Sequence, residues 1–263
     1  MVLTDCPESR AGEWCFHLFG VEVRVKFWFW FAILLFCGSG DTRTALIWIA
    51  VCFVSILLHE MGHVFAFRMF GARAYAVLYG FGGLAVPDRD VRGTLAHFVV
   101  AMAGPMAGFC LGALVWAAAY ARGVHVQFGW YMLLPTISAW PDVNPANVAK
   151  FEANYLWYVL LNDLLWVNFY WGLVNLLPVW PLDGGRAARA VLERRDRYNG
   201  IRTSLIVSAI VGAAFALVGV FKQNIYILAF FGIMAASSAQ MFEATRRRTP
   251  PVQRPHRSWN TPL

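Results

Sequence analysis

His59, Glu60 and His63 form the pattern H-E-x-x-H at the end of an apolar run from Thr44 to Leu58. On a helix, residues four apart share a face, so both imidazoles can aim a ring nitrogen at one metal ion. Glu60 is turned about 100° from His59 around such a helix. It is close enough to work on water at that ion without being a ligand. The chemistry this pattern suits is metal-assisted hydrolysis, with zinc the expected ion. Catalytic zinc usually has three protein ligands and a water, so two histidines leave the set one short.

Asp183 is the candidate for the missing ligand. It lies in Asn175-Leu176-Leu177-Pro178-Val179-Trp180-Pro181-Leu182-Asp183-Gly184-Gly185, which closes a second apolar run. A helix should break at Pro178, and Gly184 with Gly185 would let the chain turn sharply and approach the site. An ordinary turn aspartate is an equal reading of this segment by itself.

Taken together, the two motifs resemble those of the site-2 protease family of intramembrane zinc metalloproteases. That family carries H-E-x-x-H in one transmembrane helix and N-x-x-P-x-x-x-L-D-G in a later one. Asn175, Pro178, Leu182, Asp183 and Gly184 match the second without a gap. The resemblance implies that His59, His63 and Asp183 bind one zinc ion and that Glu60 is the general base. It extends weakly from Phe16 to Arg189. The family often shows G-P-x-x-N in the span between the motifs, whereas here Gly108 stands at the asparagine position after Gly104-Pro105.

The elements that must position these residues belong in a membrane. Hydrophobic residues make up 59% of the chain and charged ones 14%, against about 25% charged in soluble domains. A spanning helix needs about 20 apolar residues. Six segments qualify: about 25–39, 44–68, 94–121, 155–178, 203–221 and 224–242. The expected fold is all-α and polytopic, with a small β-hairpin or re-entrant segment near the site. Residues 1–248 read as one membrane domain with a catalytic core of about 44–185. Residues 249–263 read as a disordered Pro-rich tail. The polar start around Asp5 and Glu8 does not resemble a cleavable signal peptide. Five cysteines, an odd number without C-x-x-C, suggest reduced thiols rather than a disulfide framework.

Arginines set the expected orientation. Arg68, Arg73, Arg89 and Arg92 follow the second segment, Arg186 to Arg202 the fourth, and Arg246 to Arg248 the sixth. The positive-inside rule then puts both termini and the metal site toward the cytosol, with a bacterial plasma membrane as the default location. The same arginines account for the +7 net charge as topology signals and lipid contacts, so no nucleic-acid partner is expected.

Ala74–Asp90 reads as a hairpin around Gly80, Gly82 and Gly83. An edge strand there could hold an unwound substrate segment by strand addition, which makes Gly82 and Gly83 candidate substrate-binding residues. Asn175 could hydrogen-bond substrate backbone or the reaction intermediate, or else bond between helices. His97 reads as an interfacial histidine. The aromatic patch from Phe128 to Ile137, with Trp140, reads as an interfacial outer loop. The expected activity is hydrolysis of a peptide bond in a transmembrane protein substrate within the lipid bilayer. A metal transporter and a non-proteolytic binder of membrane segments are the alternatives.

Overall fold

The computed structural model describes residues 12–35, 37, 41–80, 82–122, 124, 127–131, 133–138 and 152–247. The tail from Thr249, the acidic start, Cys6 and Trp140 lie outside the described residues.

The described residues open on strands, not on a span. The alternation V-E-V-R-V-K buries Val21, Val23 and Val25 and leaves the residues between them more open, the period of a half-buried strand. β1 (Glu13–Leu18) and β2 (Val21–Lys26) form an antiparallel hairpin. β3 (Ala74–Tyr79) and β4 (Gly82–Pro87) form the hairpin expected within residues 74–90. β2 and β3 pair in parallel, Val23 opposite Ala76, so the four strands make one sheet in the order β1-β2-β3-β4. Ala76 and Leu78 pack with Val23, Val25, Leu57, Met61 and Val64 in the largest core cluster.

The expected span at 25–39 is therefore corrected. Its first residues end β2, and α1 (Phe27–Leu35) has nine residues, about 14 Å of helix against an apolar layer of about 30 Å. Among the described residues, four helices are long and apolar enough to cross a membrane. They are α2 (Thr42–Met69), α3 (Thr94–Ala121), α7 (Arg197–Phe221) and α8 (Ile225–Arg247). The chain is a multi-pass membrane protein. Between α3 and α7 lie α4 (Tyr155–Leu165), a π-helical segment Trp166–Trp171, α5 (Gly172–Asn175) and α6 (Asp183–Glu193). The expected span at 155–178 is thus helical to Asn175 but carries a π-helical stretch at its centre.

Local signals explain the helix starts. The Asp41 carboxylate accepts the Thr44 N–H at 2.9 Å, and that of Asp196 accepts the N–H groups of Tyr198 and Asn199. The backbone N–H of Asn199 and its side-chain amide, with that of Tyr198 backbone, hold the Asp196 carboxyl below the ordinary aspartate range. α7 and α8 pack as a hairpin in which the glycines Gly212 and Gly219 meet the backbone of α8 directly. Small residues permit such close approach in lipid.

Within the aromatic loop expected after α3, the described residues form a two-stranded sheet. Gln127–Tyr131 (β5) pairs antiparallel with Leu134–Ser138 (β6), and Tyr131 packs on Trp166 and Tyr170. Cysteine is a partial correction. Cys37, Cys52 and Cys110 are free thiols, but Cys15 is disulfide-bonded. An odd count shows that one thiol is left over; it does not exclude a bridge among the others.

Candidate active site

α2 carries His59, Glu60 and His63 in its C-terminal half, and α6 begins at Asp183. The two histidines and the aspartate, 124 residues apart in sequence, converge. His59 Nε2 lies 3.0 Å from Asp183 Oδ2, His63 Nε2 lies 3.3 Å from the same oxygen, and the two Nε2 atoms are 3.2 Å apart. Ligands on a tetrahedral zinc at 2.0–2.1 Å stand about 3.3 Å from one another, so the triangle has the size of one face of that tetrahedron.

Proton positions strengthen the match. His63 Nδ1 lies 2.6 Å from the Val100 carbonyl oxygen, which can only accept, so Nδ1 carries a proton, and in the neutral ring Nε2 then presents a lone pair. That lone pair faces a carboxylate oxygen and a second imidazole nitrogen. Three acceptor atoms with at most one shared proton among them repel unless a cation sits between them. The residues present therefore fit a zinc ion. Asp183 also occupies the first position of α6, where the helix dipole favours a carboxylate.

Glycines make room for this cluster. A Cβ at Gly104 would overlap Nε2 of both histidines. A Cβ at Gly62, inside the H-E-x-x-H motif, would press on the Ala103 carbonyl, so this glycine lets α3 approach α2 beside the site. The Gly104-Pro105 stretch is thus more than helix packing. Gly184 and Gly185 do not turn the chain through left-handed backbone. They form the first turn of α6 and admit the carbonyls of Leu176, Leu177 and Val179, folding residues 176–182 tightly against the helix.

Glu60 is buried, its ligand-capable atom within 4.8 Å of those of His59 and His63. Its carboxylate packs against Gly83 of β4, where any side chain would collide with it. Gly82, Gly83 and Asn175 line the same cavity of about 260 Å³ as His59, Glu60, His63 and Asp183. All seven sequence candidates therefore share one cavity. His97 stands apart, 3.8 Å from Asp90 on an exposed helix end.

Other residues of the site carried no motif. Tyr79 and Arg186 line the cavity, and α8 contributes Phe230, Ile233, Met234 and Ser237. Ser208 of α7 accepts the Trp180 N–H at 2.7 Å and pairs with Ser238 of α8 at 2.7 Å. This buried link ties the loop before Asp183 to the α7–α8 hairpin. A serine in an apolar span signals a polar partner, but the sequence does not say which.

Residues 47–219 match peptidase family M50. A zinc metalloprotease of Methanocaldococcus jannaschii is 25% identical over 221 residues, which cover 81% of this chain and 55% of that protein. Stage IV sporulation protein FB of Bacillus subtilis is 26% identical over 244 residues, covering 90% of this chain and 69% of the relative. The chain thus spans about half the length of the archaeal relative. The solved site-2 protease from Methanocaldococcus jannaschii shares the fold, with a TM-score of 0.56 over 92% of this chain and 98% of that one, at 18% identity. The likeness to site-2 proteases read from the two motifs is borne out, and the chain belongs to peptidase family M50.

Proposed function

We propose that this protein is an intramembrane zinc metalloprotease that hydrolyses a peptide bond in or near the transmembrane segment of a membrane-protein substrate. The convergence of His59 Nε2, His63 Nε2 and Asp183 Oδ2 within 3.0–3.3 Å carries the reading. In it these three residues hold the zinc ion. Bound there, zinc supplies a Lewis acid that polarises the scissile carbonyl and makes water more acidic. Glu60 takes the proton of the attacking water on a carboxylate oxygen and delivers it to the leaving amine nitrogen. Burial of Glu60 under Gly83 keeps that carboxylate in one position. Asn175, on the cavity wall, offers its amide to the substrate backbone or to the oxygen that gains charge.

A helical substrate segment must unwind before its peptide bond is exposed. Among the described residues β4 pairs on one side only, so its other edge is open for strand addition beside Glu60. Gly82 and Gly83 let the substrate backbone come close.

Residues 1–248 form a single membrane domain in this reading. α1, too short to span, and the helical run 155–175 enter the bilayer beside the four long helices. The exposed aromatic side chains Phe27, Trp28 and Phe31 of α1 support that placement. The arginine-rich connections after α2, after residue 185 and after α8 support a cytosolic site and cytosolic termini in a bacterial plasma membrane. A transporter has no use for a glutamate buried beside the metal triangle, and an inactive binder has no need to retain all four residues.

The test is zinc content measured beside cleavage of a model transmembrane substrate by purified protein. Wild type and Glu60→Gln should hold one zinc each, with cleavage only in wild type, and Asp183→Ala should lose zinc. Cleavage by Glu60→Gln, or a wild type that binds no zinc, would overturn the assignment.

A further inference from the structure

The cavity continues past the metal triangle, and its far wall carries a polar pair that the hydrolytic step does not use. Ser55 lies four residues before His59 on α2, one turn away on the same face. Asn168 lies in the π-helical segment, and both residues are 3% exposed and line the cavity. Asn168 Nδ2 donates to Ser55 Oγ at 2.8 Å and to the Leu164 carbonyl at 2.9 Å. Because that carbonyl can only accept, the amide orientation is fixed, and Oδ1 faces away from both partners. Among the described residues no hydrogen bond reaches Oδ1 and the Ser55 hydroxyl donates none; because no enclosed side-chain N or O there lacks a partner, Oδ1 is open to the cavity. A Cβ at Gly108 would stand 3.6 Å from Oδ1, so the glycine leaves this oxygen open to the cavity.

One unmet acceptor and one unmet hydroxyl donor, side by side, are the complement of the N–H and C=O that one residue of an extended chain presents on the same side. Polar atoms in an apolar interior are costly to leave unpaired. A substrate segment that has been unwound in the bilayer has the same problem, with backbone N–H and C=O groups stripped of their helical partners. We propose that Ser55 and Asn168 form a backbone-binding subsite of the protease: Asn168 Oδ1 accepts an N–H of the unwound substrate and Ser55 Oγ donates to a neighbouring carbonyl. The four residues from Ser55 to His59 span about 6 Å along the helix axis, and an extended chain rises about 3.3 Å per residue. The residue held there is therefore about two residues from the scissile bond, on the side away from the arginine-rich loop. Recognition of this kind reads no side chain and selects for a segment that can unwind.

The inference rests on the proteolytic reading, and the experiment keeps the two apart. Zinc-loaded wild type, Ser55→Ala and Asn168→Ala are compared on a synthetic transmembrane peptide and on a set of its analogues. In each analogue one amide near the cleavage site, other than the scissile one, is replaced by an ester, which removes a single N–H. Wild type should lose roughly 3- to 10-fold in kcat/KM at one ester position about two residues from the cut, the size of one neutral hydrogen bond. Asn168→Ala should cleave the all-amide peptide more slowly by a similar factor and be indifferent to that ester. Ser55→Ala should be slower yet still sense it. Both variants should keep zinc, which checks that they fold. Equal ester sensitivity in wild type and Asn168→Ala, or no sensitive position, would assign the pair a structural role. A zinc-loaded wild type that leaves the all-amide peptide intact would overturn the proteolytic reading itself.

Discussion

Gly83 of β4 lies so close to Glu60 of α2 that a Cβ on the glycine would overlap the Cγ, Cδ and Oε1 atoms of the glutamate. The edge strand and the proposed base are thus one packed unit. Gly83→Ala should push the carboxylate out of place without touching His59, His63 or Asp183. Loss of a general base typically costs 10²–10⁴-fold, so cleavage should fall on the order of 100-fold or more with zinc retained. Zinc content and kcat measured on one preparation check this. Unchanged kcat would mean that Glu60 does not depend on its contact with β4.

Gly104→Ala should produce the opposite split. Its Cβ would enter the space of both imidazole nitrogens, so zinc should be lost first and cleavage with it. Gly232→Ala in α8 is the control, because nothing lies within 4 Å of a Cβ there. Full zinc occupancy in Gly104→Ala would show that the two imidazoles can move without losing the ion.

What the sequence made legible was local. H-E-x-x-H and L-D-G named the four site residues because ligand chemistry demands fixed residue types at fixed spacing. The span at 94–121 coincides with α3, since a continuous apolar run is itself the signal. The hairpin at 74–90 was readable from its glycines between apolar stretches. Non-local relations were not readable. Only the last two residues of β2, Val25 and Lys26, fall within the expected span at 25–39, and the alternation of Val21, Val23 and Val25 with Glu22 and Arg24 is the strand's one local signal. Its parallel partner β3 is about 50 residues away, across α2, and no local pattern announces that pairing. Ser55, Ser208 and Ser238 are ordinary in composition, and their importance comes from partners on other helices.

The serine link yields its own test. Ser208 accepts the Trp180 N–H three residues before Asp183, and replacing it with alanine leaves a buried donor unpaired. The loop should relax and the Asp183 carboxylate lose its fixed position. Groups that orient a metal ligand are typically worth 10–100-fold in affinity, so Ser208→Ala should weaken zinc binding by roughly 10-fold. Ser238→Ala, which keeps the bond to Trp180, should have a smaller effect. A chelator competition read by zinc release measures both, and equal affinities in wild type and Ser208→Ala would remove the link from the account.

Strand addition at β4 can be separated from hairpin stability by where proline is placed. Val77 is unsuitable, because β3 is paired on both sides and proline there would break the sheet. Leu84 and Ala85 are adjacent on β4, and successive N–H groups along a strand point to opposite edges. One of the two donates toward β3 and the other faces the open edge. Proline at the inward position should disrupt the hairpin, displace Glu60 and destabilise the fold. At the outward position it removes only the donor offered to a substrate strand. Of Leu84→Pro and Ala85→Pro, one should therefore keep wild-type thermal stability and zinc yet lose about 10-fold in kcat/KM, the size of one backbone hydrogen bond. If the variant that keeps its stability also keeps its turnover, the substrate is held by something other than β4.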